Sequence, residues 1–221
     1  MALLVFQNVS KIYPPYFKAL ININLEIQKG DFIILTGPTG AGKTTLLKLI
    51  YREEKPTSGE IFYENMPYSK LKTKEFSSFR QSWGIIFQDY KLFPELTVYE
   101  NIKISLVLSG KSIKNIKFHI YEYLERFNIS QKAQKKVKEL SGGEQQKVGI
   151  IRAIIREPEL LIADEPTGNL DPASINEILE ILKNFNKEGK TVILATHDPV
   201  VLNQNLGKII KLNRGELIQD V

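Results

Sequence analysis

The sequence predicts an α/β fold with a mainly parallel central sheet, an N-terminal antiparallel β subdomain and an inserted helical subdomain. Three patterns carry that prediction. From Ile21 to Ile27 apolar and polar residues alternate strictly, the period of a sheet with one face in water. The stretches Phe32 to Leu35, Gly84 to Phe87, Leu160 to Ala163 and Thr191 to Leu194 are short apolar runs, suited to strands buried on both faces. Between roughly residues 90 and 157 the pattern becomes helical, with Ile116, Ile120, Tyr123, Leu124 and Phe127 recurring at helix spacing.

Taken in order, the opening MALLVFQNVSK alternates like a strand and has no basic leader or small-residue cleavage site, so it reads as part of the fold. Gly30-Asp31 turns the chain from the alternating strand into the first buried one, and a helix is expected from Thr45 to Tyr51. Thr97 and Glu100 stand at the spacing of a capping box, which opens a helix of the inserted subdomain. Ile175 to Phe185 reads as a helix that returns the chain to the sheet. At 221 residues, 43% hydrophobic and 25% charged, the chain is expected to form one unit over 1–221, with the helical subdomain at roughly 90–157.

Composition removes several classes of protein. With no cysteine there is no disulfide, no thiol catalysis and no cysteine-ligated zinc. The longest charge-free run, Phe32 to Gly42, contains Gly37, Pro38, Gly40 and Gly42 and is too short for the roughly 20 residues of a spanning helix. The chain is therefore expected on the cytoplasmic side. The net charge of +5 is uneven: Lys111 to Lys138 holds eight Lys or Arg against two Glu, +6, which leaves −1 for all the rest. Such a run usually marks a solvated face, with attraction to an anionic leaflet as the alternative.

The chemistry is concentrated in a few motifs, each present once. Gly37-Pro38-Thr39-Gly40-Ala41-Gly42-Lys43-Thr44, followed by Thr45, fits G-x-x-x-x-G-K-[ST] between a buried strand and a helix. The glycines let the backbone curl so that N–H groups point at a phosphate, and the next helix presents its positive end. In such a P-loop NTPase Lys43 would hold the β- and γ-phosphates and Thr44 would ligate Mg²⁺. Asp164 and Glu165 close the apolar run Leu160 to Ala163, one placed to complete the metal shell, the other to face an attacking water as general base. Leu140-Ser141-Gly142-Gly143-Glu144-Gln145-Gln146 opens a further helix, with Ser141 and Glu144 in capping-box spacing and two glycines baring backbone N–H groups. It is a second anion site.

These motifs together resemble the ABC ATPase family over almost the whole chain. The resemblance implies ATP and Mg²⁺ as cofactors and a head-to-tail ATP-sandwich homodimer, in which Ser141 and Gly143 of one copy grip the γ-phosphate of ATP held by Lys43 of the other. It further implies that Gln88 touches Mg²⁺ and the water and senses the membrane partner, that His197 contacts the γ-phosphate, and that Asn169-Leu170-Asp171 crosses the dimer seam. Tyr13 is implied as the aromatic that stacks on adenine. Thr39 stands where serine is frequent, which keeps a hydroxyl, and Pro14-Pro15 after Tyr13 departs from the common wording.

Within the family, Thr36 to Ile50, Ile86 to Asp89 with Thr97 to Asn101, and Gly143 to Ile150 are similar to the bacterial cell-division branch. There the implied partner is an integral membrane permease subunit, through which dimer closure activates cell-wall hydrolases. Lipoprotein-releasing and macrolide-exporting ATPases share Ala163 to Asp171 and stand as the alternative. Soluble relatives that act on nucleic acid carry tandem cassettes or a long coiled-coil insertion, which this chain has not, so no nucleic acid is expected as partner.

Overall fold

The computed structural model describes residues 2–108, 114–168 and 170–218. Strands β1 (Ala2–Tyr13) and β2 (Phe17–Gln28) form a long antiparallel hairpin, followed by β3 (Phe32–Thr36) and helix α1 (Lys43–Ile50). Next come β4 (Ser58–Tyr63), β5 (Met66–Pro67), α2 (Thr73–Gln81) and β6 (Trp83–Ile86). The helical insertion contains α3 (Val98–Leu108), α4 (Ile116–Arg126) and α5 (Gly142–Ile154), before β7 (Leu160–Asp164). Then α6 (Pro172–Lys187), β8 (Thr191–Ala195), the short α7 (Pro199–Leu202), β9 (Lys208–Asn213) and β10 (Glu216–Ile218) complete the described chain.

Two sheets result. One is antiparallel with order β2-β1-β4-β5, and the other has order β10-β9-β3-β8-β7-β6 with every pair parallel except β10 on β9. Both the expected antiparallel layer and the parallel core are therefore present. The apolar runs divide by parity, as a strand buried on both faces must. Phe32 and Ile34 pack with Leu161, Ala163, Val192 and Leu194 against α3 to α6. Ile33 and Leu35 pack with Leu160, Ile162, Ile193 and Ala195 against α1 and the antiparallel sheet. One sheet thus separates two apolar cores.

Helix α2 was not legible in the sequence, because its apolar contacts come from buried Phe76 and half-buried Phe79 alone, one turn apart, which is too little to read as a period. It lies over the Tyr63, Phe76 and Trp83 rings, with centroids 5.1 to 5.6 Å apart in the Tyr63–Trp83 and Phe76–Trp83 pairs. The Trp83 indole N–H donates to the Tyr63 hydroxyl at 3.2 Å, which satisfies the one polar atom of a side chain without solvent exposure.

The insertion is tied down by caps and by one buried amide. Thr97 and Glu100 form the expected capping box: the Thr97 N–H donates to Glu100 Oε2 at 2.8 Å and the Glu100 N–H to Thr97 Oγ1 at 3.1 Å. One turn on, fully buried Asn101 accepts from the Phe93 N–H at 2.8 Å and donates to the Phe93 and Thr97 carbonyls, both at 3.0 Å. This side chain holds the loop between Gln88 and α3 in shape. Asn101→Ala removes these bonds from part-buried Phe93 and Thr97 backbone groups and leaves the Phe93 N–H without its acceptor, at a cost of about 1–3 kcal/mol. The expected result is a lower urea midpoint with an unchanged slope; an unmoved midpoint would show that water satisfies those groups instead.

Candidate active site

The carboxyl ends of parallel strands are where an open α/β sheet binds ligands, and four of them converge here. β3 leads into the P-loop, β6 ends two residues before Gln88, β7 ends in Asp164 with Glu165 next, and β8 runs into Thr196 and His197. They enclose a cavity of about 250 Å³ lined by Thr39 to Thr45, Gln88, Glu165 and His197, with Phe17 and Ala19 of β2 as a further wall. Residues up to 180 positions apart in sequence, Phe17 and His197, thus meet in one place.

The P-loop owes its shape to two glycines. Gly37 has φ +148°, and a Cβ there would lie 2.1 Å from the Leu212 carbonyl oxygen. Gly42 has φ +109°, and a Cβ there would lie 2.6 Å from the Ala19 carbonyl oxygen. Any side chain would push the loop off the sheet edge. Gly42 also caps α1 without a side-chain bond, and the first turn of that helix holds no acid. Its leading N–H groups are therefore left for an anion. Lys43, 8% exposed, donates from Nζ to the Gly37 carbonyl at 2.8 Å and to that of Pro38 at 3.3 Å, and lies 3.9 Å from Glu165 Oε1.

Glu165 and His197 form a pair, with His197 Nδ1 2.7 Å from Glu165 Oε1. A carboxylate can only accept, so the ring proton of this contact sits on Nδ1. Glu165 is held in left-handed backbone at φ +46°, fixed by its N–H donating to the Ala195 carbonyl at 2.9 Å. Non-glycine residues in that region cost of order 1–3 kcal/mol and cluster at functional sites. The strain turns the carboxylate toward the P-loop instead of leaving it on the strand's own line.

Beside it, burial pushes the Asp164 carboxyl above its ordinary range, with Glu165 adding to the rise; a hydrogen bond with Thr44 and the charges of Lys43 and Lys48 oppose it. Asp164 Oδ1 is buried without a hydrogen-bond partner. An unpartnered carboxylate oxygen beside a threonine hydroxyl fits a small divalent cation. Among the described residues no three His, Asp or Glu gather as a cage, so such a cation would take its other ligands from phosphate and water.

Other predicted site residues lie elsewhere. Ser141 is the N-cap of α5, accepting from the Glu144 N–H at 3.3 Å while its own N–H donates to Glu144 Oε2 at 2.9 Å, the expected capping box. Neither Ser141 nor Gly143 lines the phosphate cavity of this protomer. Gly143 instead faces Leu170, 3.3 Å from where its Cβ would stand. Asp171 caps α6, accepting from the N–H groups of Ala173 and Ser174. Asn169 and Lys111 lie outside the described residues. Of the basic segment, Lys132 pairs with Glu144, and Lys136 and Lys138 with Glu95, while Lys114 and Lys117 are exposed.

Three features were missed. Phe17, not Tyr13, is the aromatic lining the cavity, and counting back across the hairpin from Tyr13 could have found it. Buried Gln146 donates to the Pro166 carbonyl at 2.7 Å, linking α5 to the turn after Glu165. Arg152, also on α5, donates to the Tyr90 and Lys91 carbonyls at 2.6 and 2.5 Å and so holds the loop that follows Gln88. No local pattern marks either contact.

A P-loop on a parallel sheet, a strained glutamate beside it and a second anion site pointing away define a nucleotide hydrolase of the cassette type. The chain belongs to the ABC transporter family, whose model matches residues 20–168, and is an ATP-binding, ATP-hydrolysing member of it. An AAA-domain model also matches residues 136–203. The chain is 42% identical over 214 residues to the cell division ATP-binding protein FtsE of Bacillus subtilis, covering 97% of this chain and 94% of that protein. It is 41% identical over 212 residues to FtsE of Escherichia coli strain K12, with 96% of each covered. Among solved structures, the dimeric ATP-binding cassette MJ0796 in a post-hydrolysis state with ADP and Pi matches at TM-score 0.89 and 34% identity, over 98% of this chain and 97% of that one.

Proposed function

We propose that this chain is the motor of a cell-division complex at the inner face of a bacterial membrane, where it drives an FtsX-like permease subunit and thereby controls cell-wall hydrolysis. The observation that carries this reading is the half-built site: the phosphate cavity contains P-loop, base and histidine but neither Ser141 nor Gly143. Two copies placed head to tail supply to each other what each lacks. Similarity to FtsE over nearly the full length of both chains supports the cell-division assignment. No helix among the described residues is long and apolar enough to cross a membrane, so the work is delivered through a partner. A groove of about 570 Å³ lined by Trp83, Phe87, Phe93, Leu108 and Arg152 supports docking of that partner next to Gln88.

In the cycle we propose, incoming phosphates take the Lys43 ammonium from the Gly37 and Pro38 carbonyls, and the N–H groups of Gly40 to Thr45 receive the remaining charge. Thr44, Asp164 and Gln88 would hold Mg²⁺, which would supply positive charge to offset that of the phosphates. Ser141 and Gly143 of the second copy close on the γ-phosphate, with Asp171 in the loop at the seam. Glu165 takes a proton from the attacking water while its oxygen bonds to the γ-phosphorus, and the bridging oxygen departs with ADP. His197 orients Glu165 through Nδ1 and contacts the γ-phosphate. Gln88 reports this to the membrane partner.

The test is recruitment. The chain should sediment with membranes containing the FtsX-like permease and co-purify with it. Equal sedimentation with membranes lacking the permease would overturn the assignment.

A further inference from the structure

Glu165 opens a turn that the sheet holds from one side only. At φ +46° it sits in backbone that a non-glycine residue keeps only where its surroundings over-determine it. The Gly168 N–H closes the turn on the Glu165 carbonyl at 3.2 Å, and the Glu165 N–H donates to the Ala195 carbonyl at 2.9 Å. Thr167 Oγ1 donates to Asp198 Oδ2 at 3.3 Å. Ala195 ends β8 and Asp198 follows shortly after it, so both outside supports come from the same strand end. The other side belongs to α5. Gln146, 1% exposed, donates from Nε2 to the Pro166 carbonyl at 2.7 Å. Proline has no N–H, so that carbonyl is the only polar group by which the residue after Glu165 can be held. Fixing it secures the strained residue from its C-terminal side.

We propose that Gln146 is a positioning residue for hydrolysis: it holds the turn that aims the Glu165 carboxylate at the attacking water. This rests on Glu165 as the base, which Glu165→Gln tests separately. The helix cap does not need Gln146, because the Ser141–Glu144 box closes without it. Glu165 lines the phosphate cavity of its own copy, whereas Ser141 and Gly143, at the start of the same helix as Gln146, do not. One helix therefore serves two sites. Its first residues act on the nucleotide of the other copy, and its buried amide acts on the base of its own.

The experiment measures steady-state hydrolysis and equilibrium ATP binding on the full chain carrying Gln146→Met, which keeps an unbranched side chain of similar length and removes the donor. Turnover should fall by about tenfold or more, since a misplacement of about 1 Å can cost about 10²-fold, while ATP affinity stays that of the parent. Gln146→Asn, which keeps the amide but is one methylene short, should show the same split and carries the test if the methionine variant does not fold. Mixing then reads the side of action, with the Lys43→Ala partner in large excess so that nearly every active chain sits in a heterodimer. Gln146→Met with Lys43→Ala leaves a site whose base belongs to the Gln146→Met chain, and it should turn over more slowly than parent with Lys43→Ala. Parent with a chain carrying both substitutions leaves a site with a parental base, and it should match that reference. The proposal is overturned if turnover is unchanged, if ATP binding falls with it, if the loss appears only in the second mixture, or if the two mixtures lose equally, the mark of a loosened α5. An inactive reference mixture would instead overturn the shared-site reading, and the split between turnover and binding would still decide the role of Gln146.

Discussion

Replacing Glu165 with glutamine lowers steady-state ATP turnover by roughly 10²–10⁴ while leaving ATP binding intact, the usual worth of a positioned general base. The substitution is nearly isosteric, and the amide oxygen can still accept from His197 Nδ1, now 2.7 Å from Glu165 Oε1. The backbone bond from residue 165 to the Ala195 carbonyl does not involve the side chain, so the left-handed turn persists. Only the capacity to take a proton is lost. Because ATP is bound and not consumed, it should hold two copies together, and size-exclusion chromatography should show an ATP-dependent dimer absent with ADP. Undiminished steady-state hydrolysis in the variant would remove Glu165 from the base role. Lys43→Ala behaves differently: its contact to phosphate exists before the transition state, so the loss appears in equilibrium binding as well.

Mixing two dead variants provides the second large effect. Lys43→Ala abolishes the phosphate grip of its own copy, and Ser141→Arg places a bulky cation where the helix N-terminus must approach the other copy's nucleotide. Neither homodimer should hydrolyse ATP appreciably. In a heterodimer both lesions fall on one composite site and the other site is whole, so random mixing should restore up to about a quarter of parental turnover. Ser141→Arg also removes the bond to the Glu144 N–H, about 1 kcal/mol of helix cap, so its thermal unfolding should be checked beside the parent. A mixture as inactive as its parents, with heterodimers demonstrated, would sink the shared-site model.

Much of this protein was determined by local sequence. The P-loop glycines, the caps at Thr97 and Ser141, the buried strands and the order of elements all follow from backbone sterics, near-neighbour hydrogen bonds and the period of burial, which act over a few residues. Helix α2 escaped because two phenylalanines one turn apart, Phe76 and Phe79, are too few to set a period. Tertiary structure alone decided what meets what. The order β6-β7-β8-β3 brings Gln88, Glu165 and His197 to one rim although the strands are far apart in the chain. It also gave the cavity wall to Phe17 and left Ser141 out of the cavity of its own copy. Strand order and hairpin facing are settled by packing two apolar cores against one sheet, a balance among residues from the whole chain that no short stretch contains.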